Sequence, residues 1–115
     1  MNHSNKTKEL GREKNQRNAL IRSLIRSLII EGKIQTTETR AKVIKPRVEK
    51  MITKAKVPSI SVERMLTSAI GEVSAHKIIK EIAPKYLERK GGYLRIIKMA
   101  PRLSDSARMA QIEFV

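Results

Sequence analysis

The spacing of apolar residues predicts a long helix near the start of the chain. From Asn15 the sequence reads NQRNALIRSLIRSLIIEGK, in which leucines (20, 24, 28) and isoleucines (21, 25, 29) each recur at every fourth position. This spacing is typical of one apolar stripe on an α-helix, and Gly32 is a typical residue to end it. Arg22 and Arg26 share the spacing, so they are expected to form a polar edge beside the stripe.

A short strand and a second helix are predicted next. The segment KIQTT, residues 33–37, is rich in the residues that favour strands, and Thr37 can cap a helix that runs to about Ala55. Ile44, Val48, Met51 and Ile52 would face inward. Pro46 lies inside this helix and predicts a kink or a break into two pieces.

Two more helices follow the connection VPSIS. Ser61 is expected to cap a third helix that ends at Gly71. A fourth, within SAHKIIKEIAPKYLERK, would bury isoleucines, restart its turn at Pro84 and end before Gly91.

The end of the chain predicts two paired strands. Gly91 and Gly92 are expected to provide the positive φ angle that stops the fourth helix and turns the chain into a strand, Tyr93 to Met99. In it Leu94 and Ile96 would face one way and Tyr93, Arg95 and Ile97 the other. The terminal segment MAQIEFV alternates, which places on one face Ala110, Ile112 and Phe114.

These elements predict an α+β fold in one domain. About four helices would pack with a small mixed sheet of roughly three short strands, and 29 Ile, Leu and Val residues suffice for one core. Residues 1–14 contain only Met1 and Leu10 as sizeable apolar side chains, so they are expected to form an extended basic N-terminal tail. The globular domain would comprise residues 15–115.

The charge of the chain adds a prediction about its partner. Its 25 Lys and Arg residues outnumber 11 Asp and Glu residues, for a net charge of +14. Basic residues cluster in three runs, residues 1–26, 33–56 and 77–102, whereas residues 57–76 are nearly neutral. Three such runs in one small domain favour a polyanion-binding surface, since solubility requires less charge.

Enzyme chemistry has no support in the sequence. The glycines at 91 and 92 follow a helix and precede a strand, the reverse of the order in nucleotide-binding loops. Ser74 and His76 would point to different sides of a helix, which disfavours a nucleophilic triad. Cysteine is absent and the two histidines, His3 and His76, are far apart. We therefore expect no catalytic residue, no metal, no other cofactor and no small-molecule substrate.

The kind of polyanion follows from the few aromatic residues. With two tyrosines and one phenylalanine the chain is poorly equipped to read single strands by stacking. Its basic and hydroxyl side chains suit phosphates and 2′-hydroxyls of folded RNA. A small basic DNA-architectural protein is the alternative, and an amphipathic membrane binder comes third. No apolar run is long enough to span a bilayer and no signal peptide is evident, so neither membrane insertion nor secretion is expected.

Several segments also resemble a known family. KELGR, QRNALIRSL, IQTTETRAK, ITKAK, IAPKY, RKGGYLRIIK and DSARMAQIEFV occur in the order and spacing of the bacterial-type ribosomal protein seventeen of the large subunit. The resemblance covers essentially the whole chain. It implies a non-catalytic component of the cytoplasmic ribosome, bound to large-subunit ribosomal RNA near the exit of the peptide tunnel. Neighbouring large-subunit ribosomal proteins would be further partners.

The resemblance and the basic runs together give the candidate site. Leu10, Gly11, Arg12 and Arg17 match the basic entry of the family, and its glycine–tyrosine strand is matched by Arg89, Gly91, Gly92, Tyr93, Arg95 and Lys98. The sequence departs from the family's usual histidine before Arg17, where it has Gln16, and from its second residue, here Asn2. Gly91 and Gly92 are assigned to a structural turn. The candidate RNA-binding residues are Lys6, Lys8, Arg12, Lys14, Arg17, Arg22, Arg26, Lys42, Arg89, Lys90, Tyr93, Arg95, Lys98 and Arg102.

Overall fold

The structure is a computed structural model that describes residues 13–115. Four α-helices are followed by irregular helical turns and a β-hairpin. The elements in chain order are α1 (Lys14–Glu31), β1 (Lys33–Thr37), α2 (Glu38–Ala55), α3 (Ile60–Ile70), α4 (Glu72–Lys77), a π-helical turn (Ile78–Ile82), a 3-10 turn (Ala83–Tyr86), β2 (Leu94–Met99) and β3 (Met109–Phe114). The predicted α+β fold is confirmed.

Helix α1 follows the predicted stripe. Ile21, Ile25, Leu28 and Ile29 are buried, and Gly32 ends the helix with a φ of 84° while its N–H bonds the carbonyl of Leu28. A side chain at this φ would be strained, which explains a glycine there. The helix begins at Lys14, a residue that the sequence assigned to the tail; the rest of the predicted tail, except Glu13, lies outside the described residues.

Helix α2 runs without a break through Pro46. The hydroxyl oxygen of Thr37 accepts a hydrogen bond from the N–H of Arg40 at 3.4 Å, as the predicted cap requires. Pro46 cannot donate to the carbonyl one turn earlier, but Pro46 and Lys42 both lie on an exposed side of the helix, where water can reach that carbonyl. The predicted break is therefore wrong.

Helix α3 is capped by Ser59, and the prediction of Ser61 is wrong. Ser59 has an extended backbone, and its hydroxyl accepts the N–H of Val62 at 3.2 Å. Ser61 falls inside the first turn, where its own backbone is helical. The helix ends at Gly71, as predicted, with a φ of 90°.

The fourth helical segment is shorter and less regular than the sequence predicts. Helix α4 changes into a π-turn in which the N–H of Ala83 bonds the carbonyl of Ile78, five residues back. Pro84 has no N–H to continue the α-helical ladder, which accounts for the change at this point. The 3-10 turn ends at Tyr86, so Gly91 and Gly92 do not stop the helix as predicted.

The sheet is antiparallel throughout, in the order β1-β3-β2, rather than mixed. Ile112 of the central strand faces Ile34 on one side and Ile96 on the other. Ala110 and Ile112 are fully buried and Phe114 is partly buried, which confirms the predicted face. This face packs with the apolar sides of the four helices in one core.

Candidate nucleic-acid interface

The glycine–tyrosine segment is anchored by the C-terminal half of α2. Gly92 has a φ of 63°, whereas Gly91 has no positive φ. The N–H of Tyr93 donates to Oε2 of Glu49 at 2.9 Å. These two features turn the chain into β2, so the positive-φ prediction is confirmed for Gly92 alone.

Tyr93 lies in the core and not on the predicted outer face. Its exposed fraction is 0%, and its ring lies 5.2 Å from that of Tyr86. The Tyr93 hydroxyl accepts from Nζ of Lys56 at 2.8 Å and donates to the carbonyl of Arg89 at 3.2 Å. The Lys56 hydrogen bond lowers the pKa of Tyr93 below its ordinary value. Strand alternation fails here because Tyr93 precedes the first residue of β2.

The hairpin of β2 and β3 holds basic side chains beside carboxylates. Nε of Arg95 lies 2.7 Å from Oε1 of Glu113 across the strands, and Arg95 remains 60% exposed. Arg102, in the connection, binds both oxygens of Asp105 at 3.0 and 2.8 Å. The guanidinium of Arg102 and the N–H of Ala107 lower the pKa of Asp105 to about 2. Each arginine is thereby hydrogen-bonded to a carboxylate while its side chain stays exposed.

A second cluster joins α2 to β2. Nζ of Lys42 lies 2.9 Å from Oε1 of Glu38, and Nζ of Lys98 lies 3.9 Å from the same oxygen. The Lys42 hydrogen bond lowers the pKa of Glu38. Two cations share one carboxylate, so this cluster keeps a net positive charge. Lys98, 80% exposed, can reach a further anion.

The basic residues of α1 lie at the surface, and one of them also bonds a neighbouring helix. Lys14 and Arg22 are exposed and Arg17 is partly exposed, and none forms an ion pair within residues 13–115. Arg26 is different because its Nε donates to the carbonyl of Ile70 at 2.7 Å, at the end of α3. A cation at this position satisfies a terminal carbonyl and stabilises the negative end of the helix.

Near the glycines, Arg89 and Lys90 lie on the surface. Nε of Arg89 donates to the carbonyl of Gly91 at 3.1 Å, and both Arg89 and Lys90 are exposed. Three candidates, Lys6, Lys8 and Arg12, lie outside the described residues, as do the family matches Leu10 and Gly11.

The sequence analysis missed three basic residues on α2. Arg47, Lys50 and Lys54 line a groove with Arg22 of α1, and Lys50 and Lys54 also border Gly91. The sequence could have indicated them, because positions 47, 50 and 54 in the basic run of residues 33–56 have the spacing of one helix face. They connect the exposed edge of α1 with the glycine–tyrosine segment.

None of the three aromatic residues offers an exposed platform for stacking. Tyr86 and Tyr93 are buried and Phe114 is partly buried against the core. The donors on the surface are instead ammonium and guanidinium groups, which bind phosphate oxygens. The surface is therefore suited to a nucleic-acid backbone rather than to unpaired bases.

No helix between residues 13 and 115 has the length and apolar character needed to cross a membrane. Over that same stretch of chain, His, Asp and Glu side chains form no group of three or more that could hold a metal ion.

Comparisons with a family model and with known proteins both point to one family of ribosomal proteins. The family model for ribosomal protein L17 matches residues 20–115. Proteins named large ribosomal subunit protein bL17 are similar over nearly their whole length. The protein from Clostridium botulinum strain Hall is 45% identical over 94% of this chain and 96% of its own length. The protein from Clostridioides difficile strain 630 is 45% identical over 96% of this chain and 98% of its own length. That of Carboxydothermus hydrogenoformans is 44% identical, covering 93% and 96%. The chain belongs to the ribosomal protein L17 family.

Proposed function

We propose that this protein binds and stabilises folded ribosomal RNA as a structural constituent of the large ribosomal subunit. As a member of the L17 family it is a structural ribosomal protein and not an enzyme. The ribosome is its location, in the cytoplasm of bacteria. The proposal adds to this the RNA contact, the residues that make it and the position near the peptide tunnel exit that the resemblance implies.

The observation that carries the proposal is the surface chemistry of the hairpin. Arg95, Lys98 and Arg102 are exposed. The two arginines are hydrogen-bonded to carboxylates without being buried, and Lys98 lies 3.9 Å from a third carboxylate. Between residues 13 and 115 the aromatic side chains are buried, or for Phe114 partly buried against the core, and none is fully exposed beside them. Such a surface recognises the position of phosphates and the shape of a folded strand rather than its sequence.

The contact is proposed to extend beyond the hairpin. Arg89 and Lys90 continue it toward the glycines, and Lys14 and Arg17 continue it at the start of α1. The basic residues of the N-terminal tail, Lys6, Lys8 and Arg12, are proposed to add further phosphate contacts. Tyr93 would stabilise this surface from inside the core. Arg26 of α1 would stabilise it through its bond to the last residue of α3.

A salt titration tests the proposal. Fluorescence anisotropy would follow binding of a labelled large-subunit ribosomal RNA fragment, with a DNA duplex of equal length as competitor. In a plot of the logarithm of the binding constant against the logarithm of the salt concentration, each neutralised phosphate contributes a slope of roughly −0.7 to −0.9. About five phosphate contacts should therefore give a slope steeper than about −3. We expect the RNA to be preferred over the duplex.

One pair of variants makes the test specific. Arg95→Ala should weaken binding several-fold and reduce the salt slope by about one unit. Arg64→Ala removes the same charge from an exposed position in the nearly neutral segment, residues 57–76. It should leave the affinity and the salt slope unchanged. A slope near zero, or equal losses in the two variants, would contradict an RNA-binding role for the hairpin.

A further inference from the structure

The groove between α1, α2 and α3 differs from the rest of the basic surface. It has a volume of about 460 Å³ and lies between residues 18–25 of α1, residues 47–54 of α2 and residues 65–70 of α3. Arg22, Arg47, Lys50 and Lys54 line it, and among the residues that the structure describes no Asp or Glu does so. Any occupant therefore meets four cations.

The floor of the groove is aliphatic. Ile25, Met51, Met65 and Leu66 line it together with the cations. Ile25 and Leu66 are buried and Met51 is partly buried, whereas Met65 keeps 36% of its surface exposed. Nζ of Lys54 lies 3.7 Å from the sulfur of Met65, which places a charge directly beside an apolar side chain. Methionine is flexible and polarisable, so it adapts to apolar side chains of varied shape.

The combination disfavours a nucleic acid. Phosphates would match the cations, but the sugar and base edges would then lose water against Ile, Leu and Met side chains that offer no hydrogen bonds. The residues that line the groove also include no aromatic ring on which a base could stack. A ligand that brings carboxylates together with aliphatic side chains matches both parts of the groove.

Two occupants from the chain itself are disfavoured by charge. Residues 1–12 contain three Lys and Arg residues and one acidic residue, so they would add positive charge to a positive groove. A second copy of the chain carries a net charge of +14 and would meet the same repulsion.

We infer that the groove is a docking site for an acidic, amphipathic segment of a partner protein. Aliphatic side chains of that segment would pack on the exposed Met65 and the partly buried Met51, and its carboxylates would pair with the cations of the groove, as in other helix-in-groove complexes. The inference goes beyond RNA binding and does not depend on it, because it rests on the apolar side chains of the groove and not on the basic hairpin. Of the candidate RNA-binding residues that the structure describes, only Arg22 lines the groove.

The test uses the full-length chain and a designed probe. The probe is a fluorescein-labelled peptide of about 14 residues with leucine at the i, i+3, i+4 and i+7 positions and glutamate between them. A second peptide has the same composition in an order that destroys the apolar stripe. Because the protein is strongly basic, both peptides would be measured at physiological salt, where distant charges are screened. We expect the patterned peptide to bind at least about tenfold more tightly.

Variants connect that preference to the groove. Met65→Gln should abolish most of the preference for the patterned peptide, since it removes apolar contact at a partly exposed position that tolerates the change. Arg47→Glu combined with Lys50→Glu should weaken binding by about tenfold or more. The control, Lys80→Glu combined with Lys85→Glu, makes the same change of net charge at exposed positions outside the groove and should have little effect. Circular dichroism melts would confirm that each variant is folded.

Two outcomes would overturn the inference. Equal binding of the two peptides, reduced equally by the groove and control variants, would show that only net charge matters. Loss of RNA binding in the groove variants, without any preference for the patterned peptide in the unmodified chain, would assign the groove to RNA. The Arg95→Ala variant distinguishes failure of the RNA proposal from failure of this one, since Arg95 is not among the residues that line the groove.

Discussion

Gly92 is the residue of the glycine–tyrosine segment whose backbone a side chain would disturb. Its φ is 63°, in the left-handed region, while Gly91 has no positive φ and has open space where a Cβ would lie. A Cβ on Gly92 would come no closer than 4.0 Å to Arg89, so the cost of substitution is in the backbone and not in a clash.

The two glycines therefore give a matched test. Gly92→Ala should lower the free energy of unfolding by about 1–2 kcal/mol, the usual cost of the left-handed region for a residue with a Cβ. Gly91→Ala should be neutral or slightly stabilising, because it only restricts the unfolded chain. Urea unfolding of both variants measures the difference. Equal destabilisation would mean that packing, and not φ, requires glycine at both positions.

At this scale the sequence predicts conformations better than contacts. Gly32 and Gly92 have the positive φ that their positions suggested, whereas Gly91 does not. The burial of Tyr93 could not be predicted because it depends on Glu49 and Lys56, which are distant in sequence and bind its backbone and hydroxyl. The structural bond of Arg26 to the carbonyl of Ile70 is hidden for the same reason.

At the scale of the element, the start of α3 is set by a choice between two serines. The sequence PSIS offers two side chains of equal chemistry, and periodicity cannot separate them because the apolar positions fit either start. The extended backbone of Ser59, with a φ of −155° and a ψ of 169°, identifies the cap.

Substitution of the two serines should give different results. Ser59→Ala should destabilise the protein by about 1 kcal/mol through loss of the cap to Val62. Ser61→Ala, inside the exposed first turn, should change stability by no more than a few tenths of a kcal/mol, since alanine is the better helix former. Thermal melts of the two variants would compare them directly. A larger effect at Ser61 would place the helix start later.

The extents of α1 and α2 were predictable because strong apolar periodicity continues through them. The fourth segment was not, because Pro84 changes the hydrogen-bond pattern before its own position and leaves Ala83 bonded to Ile78. The groove was equally hidden. It exists only where α1, α2 and α3 pack, so Arg47, Lys50 and Lys54 appear in the sequence as an ordinary solvated face.

At the scale of the whole molecule, carboxylates beside cations influence the response to acid. The pKa values of Glu38, Asp105 and Glu113 are all below their ordinary values, each chiefly through a hydrogen bond from a neighbouring Lys or Arg. The folded state therefore favours the ionised carboxylates more than the unfolded state does.

The sign of the pH dependence follows from these shifts. This stabilisation is fully present above the ordinary pKa values, 3.8 for Asp105 and 4.5 for the glutamates, and is lost as the pH falls toward about 2 for Asp105. We expect the melting temperature to be nearly constant from about pH 7 to 5 and to fall between about pH 4.5 and 2. Asp105→Asn should remove a small part of that fall, small because the pair is exposed and screened. A melting temperature that rises in acid would contradict the assignment.

The position of β3 in the centre of the sheet has a consequence for how the protein acquires its fold during synthesis. Both neighbours of this strand, β1 and β2, precede it in the chain, and β1 does so by most of the domain. While the chain is being made, the helices can form from local contacts, whereas β1 must wait for a distant partner. Until then Ile34 and Ile96 have no strand between them, and both edges of β1 and of β2 are available to other nascent chains. Pairing of β3 closes one edge of each strand in a single step.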